Sequence, residues 1–321
     1  MQTSSVTISV LIPVLNEVNH LDSLLSSLMD MDNPGQCEFF LIDGGSTDGT
    51  REKIALWQQQ YSFIYRVDNV QRYANFGFNN AFSLTKGRYI AFLGAHAEYP
   101  PKFLSIGKQY LDDKQCDAVG GPLIQKAKSA KGLGIAHAMS SKLGVGDTAF
   151  RTLSDKRYVD SVAFAMYKRE VFEKIGLLDE ELIRNQDDEF HYRINSAGYK
   201  ILMVPEMACV YYVRETLSSL FKQYFQYGLF KPLVLKKVRA GMRIRHLIPA
   251  CFVLYLLWLP VSFVFLGFAS TIPLAIYAVL VFYVSSAKKL SLQSKVISCL
   301  AFPTLHVSYG IGFLVGLRKI L

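Results

Sequence analysis

The chain has 321 residues, of which 51% are hydrophobic, and its formal net charge at pH 7 is +9. This length is sufficient for one sizeable α/β domain with an additional part. Thirteen of the 35 Lys and Arg residues lie from Arg214 onward, where Glu215 is the only acidic residue, so the preceding part is slightly acidic and gives no basis for nucleic-acid binding.

The first predicted elements are a strand and a helix. An apolar, β-branched run over residues 6–14 predicts a buried strand. Asn16 follows it and predicts the N-cap of a helix. The apolar face of that helix is predicted to consist of Leu21, Leu24, Leu25 and Leu28.

Strand and helix patterns continue to alternate over the first 120 residues. Further strands are predicted over 37–42, 63–67 and 88–93, and helices over 50–60 and about 74–84. This rhythm predicts a doubly wound, mostly parallel sheet, in which ligands bind at the carboxyl ends of the strands. The loops after Val14, Ile42 and Leu93 should therefore share one crevice.

The middle of the chain is harder to assign. Residues 126–157 are rich in Gly, Ser and Lys and give no clear period. Structure is predicted to resume over 158–167, with helices near 169–175 and 187–197 and strands over 200–204 and 209–213. These elements complete a first domain over residues 1–213.

Residues 214–246 are predicted to form an amphipathic, basic region at a membrane surface. Aromatic residues at helical spacing, Phe221, Tyr224 and Phe225, alternate with Lys over 217–238. An ordinary surface helix is the alternative. The basic residues just before the next apolar run are Lys231, Lys236, Lys237, Arg239, Arg243 and Arg245.

Residues 247–321 are predicted to form a membrane region of two or three helices. Residues 247–287 and 296–317 are free of charged side chains and are long enough for two spans and one span. The basic flank before them is expected to be cytoplasmic and to attract anionic lipid headgroups. We therefore expect a multi-pass protein of the cell inner membrane with its first domain on the cytoplasmic side, although three spans would leave Arg318 and Lys319 outside, against the charge rule.

One candidate binding motif follows the second predicted strand, where residues 43–50 read Asp-Gly-Gly-Ser-Thr-Asp-Gly-Thr. Glycines let the backbone approach a ligand, and the N-terminus of the next helix offers free N–H groups to an anion. Asp43 is placed to accept a hydrogen bond from a base or ribose. The alternative is an ordinary strand–turn–helix in which Asp48 caps the helix.

A second candidate is the acidic start of the predicted helix near 187–197. Asp187, Asp188 and Glu189 are adjacent, so their mutual repulsion raises at least one pKa, while the helix N-terminus favours the negative charge. A carboxylate placed in this way suits a general base that acts on a sugar hydroxyl. The alternative is an acidic helix start with no catalytic role.

A third candidate lies after the fourth predicted strand, where residues 94–98 read Gly-Ala-His-Ala-Glu. His96 and Glu98 are two residues apart in a strand-end loop. They are candidate ligands of a divalent cation.

Four segments carry a family resemblance: VLIPVLNE at 10–17, FLIDGGSTDGT at 40–50, QRYANFG at 71–77 with TKGRYIAFL at 85–93, and REVFEKIGLLDE at 169–180. With the acidic run at 185–189, they resemble the family 2 glycosyltransferases. The branch with the most similar wording is that of the succinoglycan and exopolysaccharide membrane enzymes. The resemblance covers about residues 6–213 and implies a GT-A fold, a Rossmann-like α/β domain with a mostly parallel sheet.

The resemblance also implies roles for individual residues and an inverting transfer of a hexose. Asp187 is the best candidate for the base and Asp188 the second, with Gln186 and Arg193 expected on the acceptor side. His96 and Glu98 would bind Mn²⁺ or Mg²⁺. Nucleotide contacts are expected from Pro13, Asn16, Glu17, Asp43, Ser46, Asp48, Arg72 and Gly94.

The implied partners are a nucleotide-sugar donor, a UDP-sugar by the resemblance, and a saccharide acceptor linked to polyprenyl diphosphate. One departure from the family concerns the metal motif, which reads Asp-Ala-His in the exopolysaccharide branch. Here Gly94 stands at the first Asp and His96 at the ligand position. Histidine brings no negative charge and suits Mg²⁺ less well than a carboxylate does.

Two other functions stay open at the level of the sequence. Gly94 is compatible with an inactive nucleotide-sugar-binding or scaffold protein, which metal-dependent hydrolysis of UDP-sugars would distinguish. A processive synthase is the other alternative. Processive relatives carry a Gln-x-x-Arg-Trp motif, whereas residues 223–227 read Gln-Tyr-Phe-Gln-Tyr.

Overall fold

The structure is a computed structural model that describes residues 6–32, 34–238, 243–287 and 289–320. It divides into two compact units, one of residues 1–124 with 153–211 and the other of residues 125–152 with 212–321. The first unit ends at residue 211, and the first domain was predicted to end at residue 213. The segment 125–152, which gave no clear pattern, groups with the C-terminal helices.

The strands are β1 (Ile8–Val14), β2 (Cys37–Asp43), β3 (Ile64–Asp68), β4 (Tyr89–Phe92), β5 (Ala97–Glu98), β6 (Ala118–Gly121), β7 (Leu123–Lys126), β8 (Arg157–Tyr158), β9 (Ala163–Lys168), β10 (Ile201–Met203) and β11 (Cys209–Tyr212). The helices are α1 (Leu21–Met29), α2 (Thr50–Gln60), α3 (Ala74–Phe82), α4 (Phe103–Asp112), α5 (Ala130–Met139), α6 (Lys142–Val145), α7 (Ala149–Thr152), α8 (Arg169–Ile175), α9 (Gln186–Ser196), α10 (Leu217–Val238), α11 (Ile244–Leu266), α12 (Ile272–Ser285) and α13 (Leu292–Ile320).

The first unit is built on an eight-stranded sheet with the order β3-β2-β1-β4-β9-β6-β10-β8. The pairs β1–β2, β1–β4, β2–β3 and β6–β10 are parallel, while β9 runs antiparallel to both of its neighbours. The prediction of an α/β domain with a mostly parallel sheet is therefore confirmed. β1 lies between β2 and β4, so the carboxyl ends of these three strands meet at one edge.

Strands β1 and β2 are apolar because both faces of the sheet are covered. Two polar residues interrupt them, Ser9 and Glu38, and both are buried. The Ser9 hydroxyl donates to Oε1 of Glu38 over 2.5 Å, and the backbone N–H of Lys86 donates to the same oxygen over 2.5 Å. The buried carboxylate thus has partners in the sheet and in the loop before β4.

The predicted N-cap at Asn16 is wrong. Helix α1 begins at Leu21 with His20 at the N-cap position, and Asn16 has a φ of 57° in the loop before it. Asparagine tolerates this left-handed conformation better than most residues. The predicted apolar face is correct, since the four leucines of α1 are buried.

The second unit contains long apolar helices. Two stretches, 244–285 and 292–320, are long and apolar enough to cross a membrane, and only 11% of the most apolar window of the first stretch is buried. Helix α10 has the predicted bounds and packs along α13, where a Cβ at Gly312 would lie 2.1 Å from the carbonyl oxygen of Phe225. Its placement at a membrane surface stays a prediction, and Arg239 of the basic flank lies outside the described residues.

Candidate active site

The loops after β1 and β2 are joined by hydrogen bonds from Asn16. Its backbone N–H donates to Oγ of Ser46 over 2.9 Å, and its Oδ1 accepts from the N–H of Thr47 over 2.9 Å. The register of β1 and β2 pairs Val14 with Asp43, which brings the two loops side by side. Asn16 and Ser46 thus shape the crevice in which the sequence places the nucleotide.

Asp48 makes a second connection between these loops. Its Oδ2 accepts from the N–H of Val18 over 3.1 Å, and its Oδ1 accepts from the hydroxyl of Thr50 over 2.6 Å. The hydrogen bond from Thr50 lowers the pKa of Asp48 below its usual value. Asp48 does not hold the N-cap position of α2, which is Gly49, although its Oδ1 accepts from the N–H of Thr50, the first residue of the helix, over 3.1 Å. Its contact with a nucleotide stays a prediction.

Asp43 ends β2, and its side chain is fully buried. Burial alone would raise the pKa of this carboxyl group. Hydrogen bonds from the N–H of Ser46 over 3.0 Å and from Nε of Arg51 over 2.5 Å outweigh that effect, and the pKa is lowered. The backbone of Arg72 packs against this turn: a Cβ built at Gly44 would lie 3.4 Å from the carbonyl oxygen of Arg72.

This lowered pKa predicts an acid-dependent stability. The charged form of Asp43 stabilises the folded state above the ordinary pKa of about 4, and that contribution is lost as the pH falls through the lower pKa of the folded protein. We expect Asp43→Asn to lower the melting temperature more at pH 6 than at pH 3, as measured by scanning fluorimetry of the protein in detergent. An equal difference at both pH values would contradict this expectation.

The loop after β4 is closed by Tyr99. Its hydroxyl accepts from the N–H of Gly94 over 2.6 Å and donates to the carbonyl of the same residue over 3.0 Å. A Cβ at Gly94 would lie 2.5 Å from Cε1 of Phe164, which is too close. Phe164 has a φ of 49° and packs edge-on against Tyr99. The aromatic ring of Phe164 thus fills the space into which a side chain at position 94 would point.

Restoring an acidic residue at this position should therefore destabilise the protein. We expect Gly94→Asp to cost about 1–3 kcal/mol, because overpacking forces Phe164 to move. Adding Phe164→Ala should recover part of the loss in melting temperature. Gly35→Asp is a matched control, since nothing lies within 4 Å of a Cβ there. Equal effects of the two single substitutions would contradict the steric argument.

Glu17, His20 and His96 form a cluster beside this loop. Their ligand atoms all lie within 4.8 Å of one another, and Nε2 of His96 is 2.7 Å from Oε1 of Glu17. Oε2 of Glu17 is buried and has no hydrogen-bond partner among the described residues. Two imidazoles and a carboxylate with an unpaired oxygen fit a divalent cation. Glu98 is not in this cluster, so its role as a ligand stays a prediction.

The acidic run at the start of α9 separates into three different environments. Glu189 is buried and accepts two hydrogen bonds from Arg193, over 2.7 Å to Oε1 and 2.9 Å to Oε2. Asp188 is half-buried, and its charge acts on the buried His191. Asp187 is exposed and lines a small cavity. The other residues of that cavity are Phe78, Phe92, Tyr167, Phe172, Leu178, Gln186 and Phe190.

Arg193 has a structural role that the sequence did not indicate. Besides Glu189, its guanidinium donates to the carbonyls of Ile175 over 2.6 Å and Leu177 over 2.7 Å. It thereby ties α9 to the end of α8. A contact of Arg193 or Gln186 with the acceptor stays a prediction.

Two asparagines of α3 position the segment that leads to α9, and sequence reasoning missed both. The amide of Asn75 donates to the carbonyls of Asp179, Glu180 and Leu182 over 3.0–3.1 Å. Asn79 exchanges hydrogen bonds with the backbone of Leu178. The one sequence feature that could have indicated them is that both lie on α3, the helix that begins shortly after the predicted nucleotide contact Arg72.

His191 was also missed. It is buried, with Nδ1 2.9 Å from Oγ of Ser161 and Nε2 2.8 Å from the hydroxyl of Tyr167. Burial lowers its pKa to about 4, so the imidazole is neutral at pH 7. It orients Tyr167, which shares the cavity with Asp187.

Comparisons with known proteins agree with this architecture. Residues 9–176 match the model of "Glycosyl transferase family 2". The chain is 31% identical over 255 residues to the succinoglycan biosynthesis protein ExoA of Rhizobium meliloti, covering 77% of this chain and 76% of that protein. A second relative, 26% identical over 243 residues and covering 72% of this chain and 74% of the relative, is the dolichyl N-acetyl-alpha-D-glucosaminyl phosphate 3-beta-D-2,3-diacetamido-2,3-dideoxy-beta-D-glucuronosyltransferase of Methanococcus voltae.

Among solved structures, the mannosyltransferase PcManGT of Pyrobaculum calidifontis superposes with a TM-score of 0.68 at 17% sequence identity. The match covers 97% of this chain and 87% of that one. This likeness supports the GT-A fold. The family match, the relatives and the fold lead to one conclusion: the chain belongs to glycosyl transferase family 2 and is a glycosyltransferase of exopolysaccharide or glycan synthesis.

Proposed function

We propose that the chain is an inverting hexosyltransferase that uses a UDP-sugar donor and a lipid-linked saccharide acceptor. The observation that carries the proposal is the separation of the three carboxylates at the start of α9. Glu189 is held by Arg193 and Asp188 lies on the side of His191, whereas Asp187 is exposed at the rim of a cavity. Asp187 is therefore the carboxylate that a substrate hydroxyl can reach.

The transfer is a single displacement in this proposal. Asp187 accepts the proton of the acceptor hydroxyl while the hydroxyl oxygen forms a bond to the anomeric carbon. The bond from that carbon to the diphosphate breaks at the same time, and the diphosphate leaves with the electron pair. Attack from the face opposite the leaving group inverts the anomeric configuration.

The donor would lie over the carboxyl ends of β1, β2 and β4. By the family resemblance, Asp43 and Arg72 would contact the base and ribose, and the start of α2 would favour an anionic ligand. A divalent cation held at His96 would stabilise the charge of the departing diphosphate when bound. The solved structure of PcManGT is a complex with GDP-Man and Mn²⁺, which is consistent with such an ion.

The acceptor side of the proposal is supported by the second unit. Two stretches are apolar and long enough to cross a membrane, and basic residues precede the first of them. A lipid-linked saccharide at the cytoplasmic face of the cell inner membrane would be bound close to such a region.

One observation favours a second candidate function, an inactive nucleotide-sugar-binding protein. The ring of Phe164 occupies the space beside Gly94 where relatives of the exopolysaccharide branch carry an aspartate. A protein of this kind would bind a donor without cleaving it.

The experiment that tests the proposal is a nucleotide-release assay with purified full-length protein. A panel of UDP-sugars and GDP-mannose is supplied with and without Mn²⁺, together with a polyprenyl-diphosphate-linked oligosaccharide. We expect release of UDP that requires the acceptor, and an inverted anomeric signal in the NMR spectrum of the product. Donor binding without release supports the inactive alternative, and a retained configuration contradicts the displacement.

A further inference from the structure

The cluster of Glu17, His20 and His96 combines two separate segments of the first unit. Glu17 and His20 belong to the loop between β1 and α1, and His96 to the loop after β4. The backbone fixes the first segment, since the N–H groups of His20 and Leu21 both donate to the carbonyl of Glu17 over 2.9 Å. The N–H of Glu17 in turn donates to Oγ1 of Thr50 over 2.8 Å.

This turn places Glu17 and His20 three residues apart on the same side, facing His96. The rings of His20 and His96 meet edge to face at 5.8 Å between centroids. Metal–ligand bonds of about 2.0–2.2 Å place neighbouring ligand atoms roughly 3–4 Å apart. The ligand atoms here lie within 4.8 Å of one another, which is close to this spacing, and both imidazoles are exposed.

The ion pair between Glu17 and His96 satisfies only one of the two carboxylate oxygens of Glu17. Glu17 is 6% exposed, and Oε2 is buried without a hydrogen-bond partner in the part of the chain that the structure describes. An unpaired buried carboxylate oxygen is costly, and a bound cation would satisfy it. A simple contact between Glu17 and His96 leaves that oxygen unexplained.

We propose that Glu17, His20 and His96 form a transition-metal site with positions open to the diphosphate of the donor, an inference that rests on the proposed function. Two imidazole nitrogens and one carboxylate favour Mn²⁺, Co²⁺ or Zn²⁺ over Mg²⁺, which prefers oxygen ligands. The negative ligand comes from the loop after β1. The loop after β4 supplies His96 alone, because the ring of Phe164 excludes a side chain at position 94.

The test measures binding of the metal alone to the full-length protein in detergent, after chelator treatment and without donor. Titration with MnCl₂, followed by the EPR signal of free Mn²⁺, should give one bound ion, with an affinity at least tenfold above that for Mg²⁺ in competition. We expect His20→Ala and Glu17→Gln to weaken Mn²⁺ binding at least tenfold. CoCl₂ should give visible absorption bands in the wild type that decrease in the His20→Ala variant.

Two further variants make the test selective. Glu206→Gln replaces an exposed carboxylate elsewhere in the first unit and should bind Mn²⁺ as the wild type does. Glu98→Gln distinguishes this site from the alternative, suggested by the sequence, in which His96 and Glu98 hold the ion. This variant should bind Mn²⁺ as the wild type does. His20 is exposed, so its variant should fold even if Glu17→Gln does not, and melting temperatures check this.

Unchanged Mn²⁺ affinity in His20→Ala, or loss of binding in Glu98→Gln alone, would overturn the site while leaving the transferase activity to be judged by its own assay. A wild-type protein that binds no Mn²⁺, Co²⁺ or Zn²⁺ would overturn it as well. Tight Mn²⁺ binding that depends on all three residues, in a protein with no transfer to any acceptor, would support the site and contradict the proposed function.

Discussion

Replacing Asp187 with Asn should reduce sugar transfer by roughly 10²–10⁴-fold, the range over which a general base contributes to catalysis. The amide keeps the size of the side chain but cannot accept the proton of the acceptor hydroxyl. Donor affinity should change little, because the donor is expected to contact the loops after β1, β2 and β4. The measurements are nucleotide release in the presence of acceptor and calorimetric titration with the donor.

The matched control for this prediction is Asp188→Asn, one residue further along the same helix. Asp188 is half-buried and acts on His191, so its loss should lower activity less than the loss of Asp187. Equal activity of Asp187→Asn and the wild-type enzyme would remove Asp187 as the base. A larger loss in Asp188→Asn would transfer that role to its neighbour.

The second large effect should follow from Arg193→Ala, as a loss of stability of about 3 kcal/mol. Glu189 is 5% exposed, and the substitution would leave its buried carboxylate without a bidentate cationic partner. The carbonyls of Ile175 and Leu177 would also lose their donors. We expect the melting temperature in detergent to fall by on the order of 10 °C.

Two further variants test whether the burial of Glu189 causes this loss of stability. Adding Glu189→Gln to Arg193→Ala should recover part of the stability, because the buried group is then neutral. Arg157→Ala removes a pair with Asp155 in which both side chains are exposed, and it should change stability by less than about 1 kcal/mol. If the two arginine variants were equally stable, the burial of Glu189 would have no energetic consequence.

Local patterns in the sequence were sufficient for most of the secondary structure. Helices over 50–60, 169–175 and 217–238 have the predicted bounds, and the six predicted strands differ from the observed ones by at most two residues at either end. Helix α4 and the short strands β5 to β8 were not predicted. These features depend on periodicity and on turn residues within short stretches. The same is true of Asp43, whose position at the end of a buried run already placed it at the carboxyl edge of the sheet, where a nucleotide is predicted to bind.

The segment 125–152 could not be predicted in this way. Helices α6 and α7 have only four residues each, and α5 and α6 carry glycines, so their formation depends on packing within the second unit. Gly134, for example, would place a Cβ 2.4 Å from the carbonyl oxygen of Ser294, a residue far along the chain. A local period cannot report such a contact.

The carboxylates at 187–189 show the limit of what the sequence alone can predict. By itself it determined that three acids begin a helix, and similarity to a family selected Asp187 among them. Only the tertiary structure shows that Arg193 neutralises Glu189 and that Asp187 remains exposed at a cavity. Likewise, the sequence indicates His96 and Gly94, but their partners lie about 70 or more residues away, Glu17 and His20 in the loop after β1 and Phe164 in strand β9. Their roles depend on the packing of side chains across the sheet edge, and no local pattern encodes it.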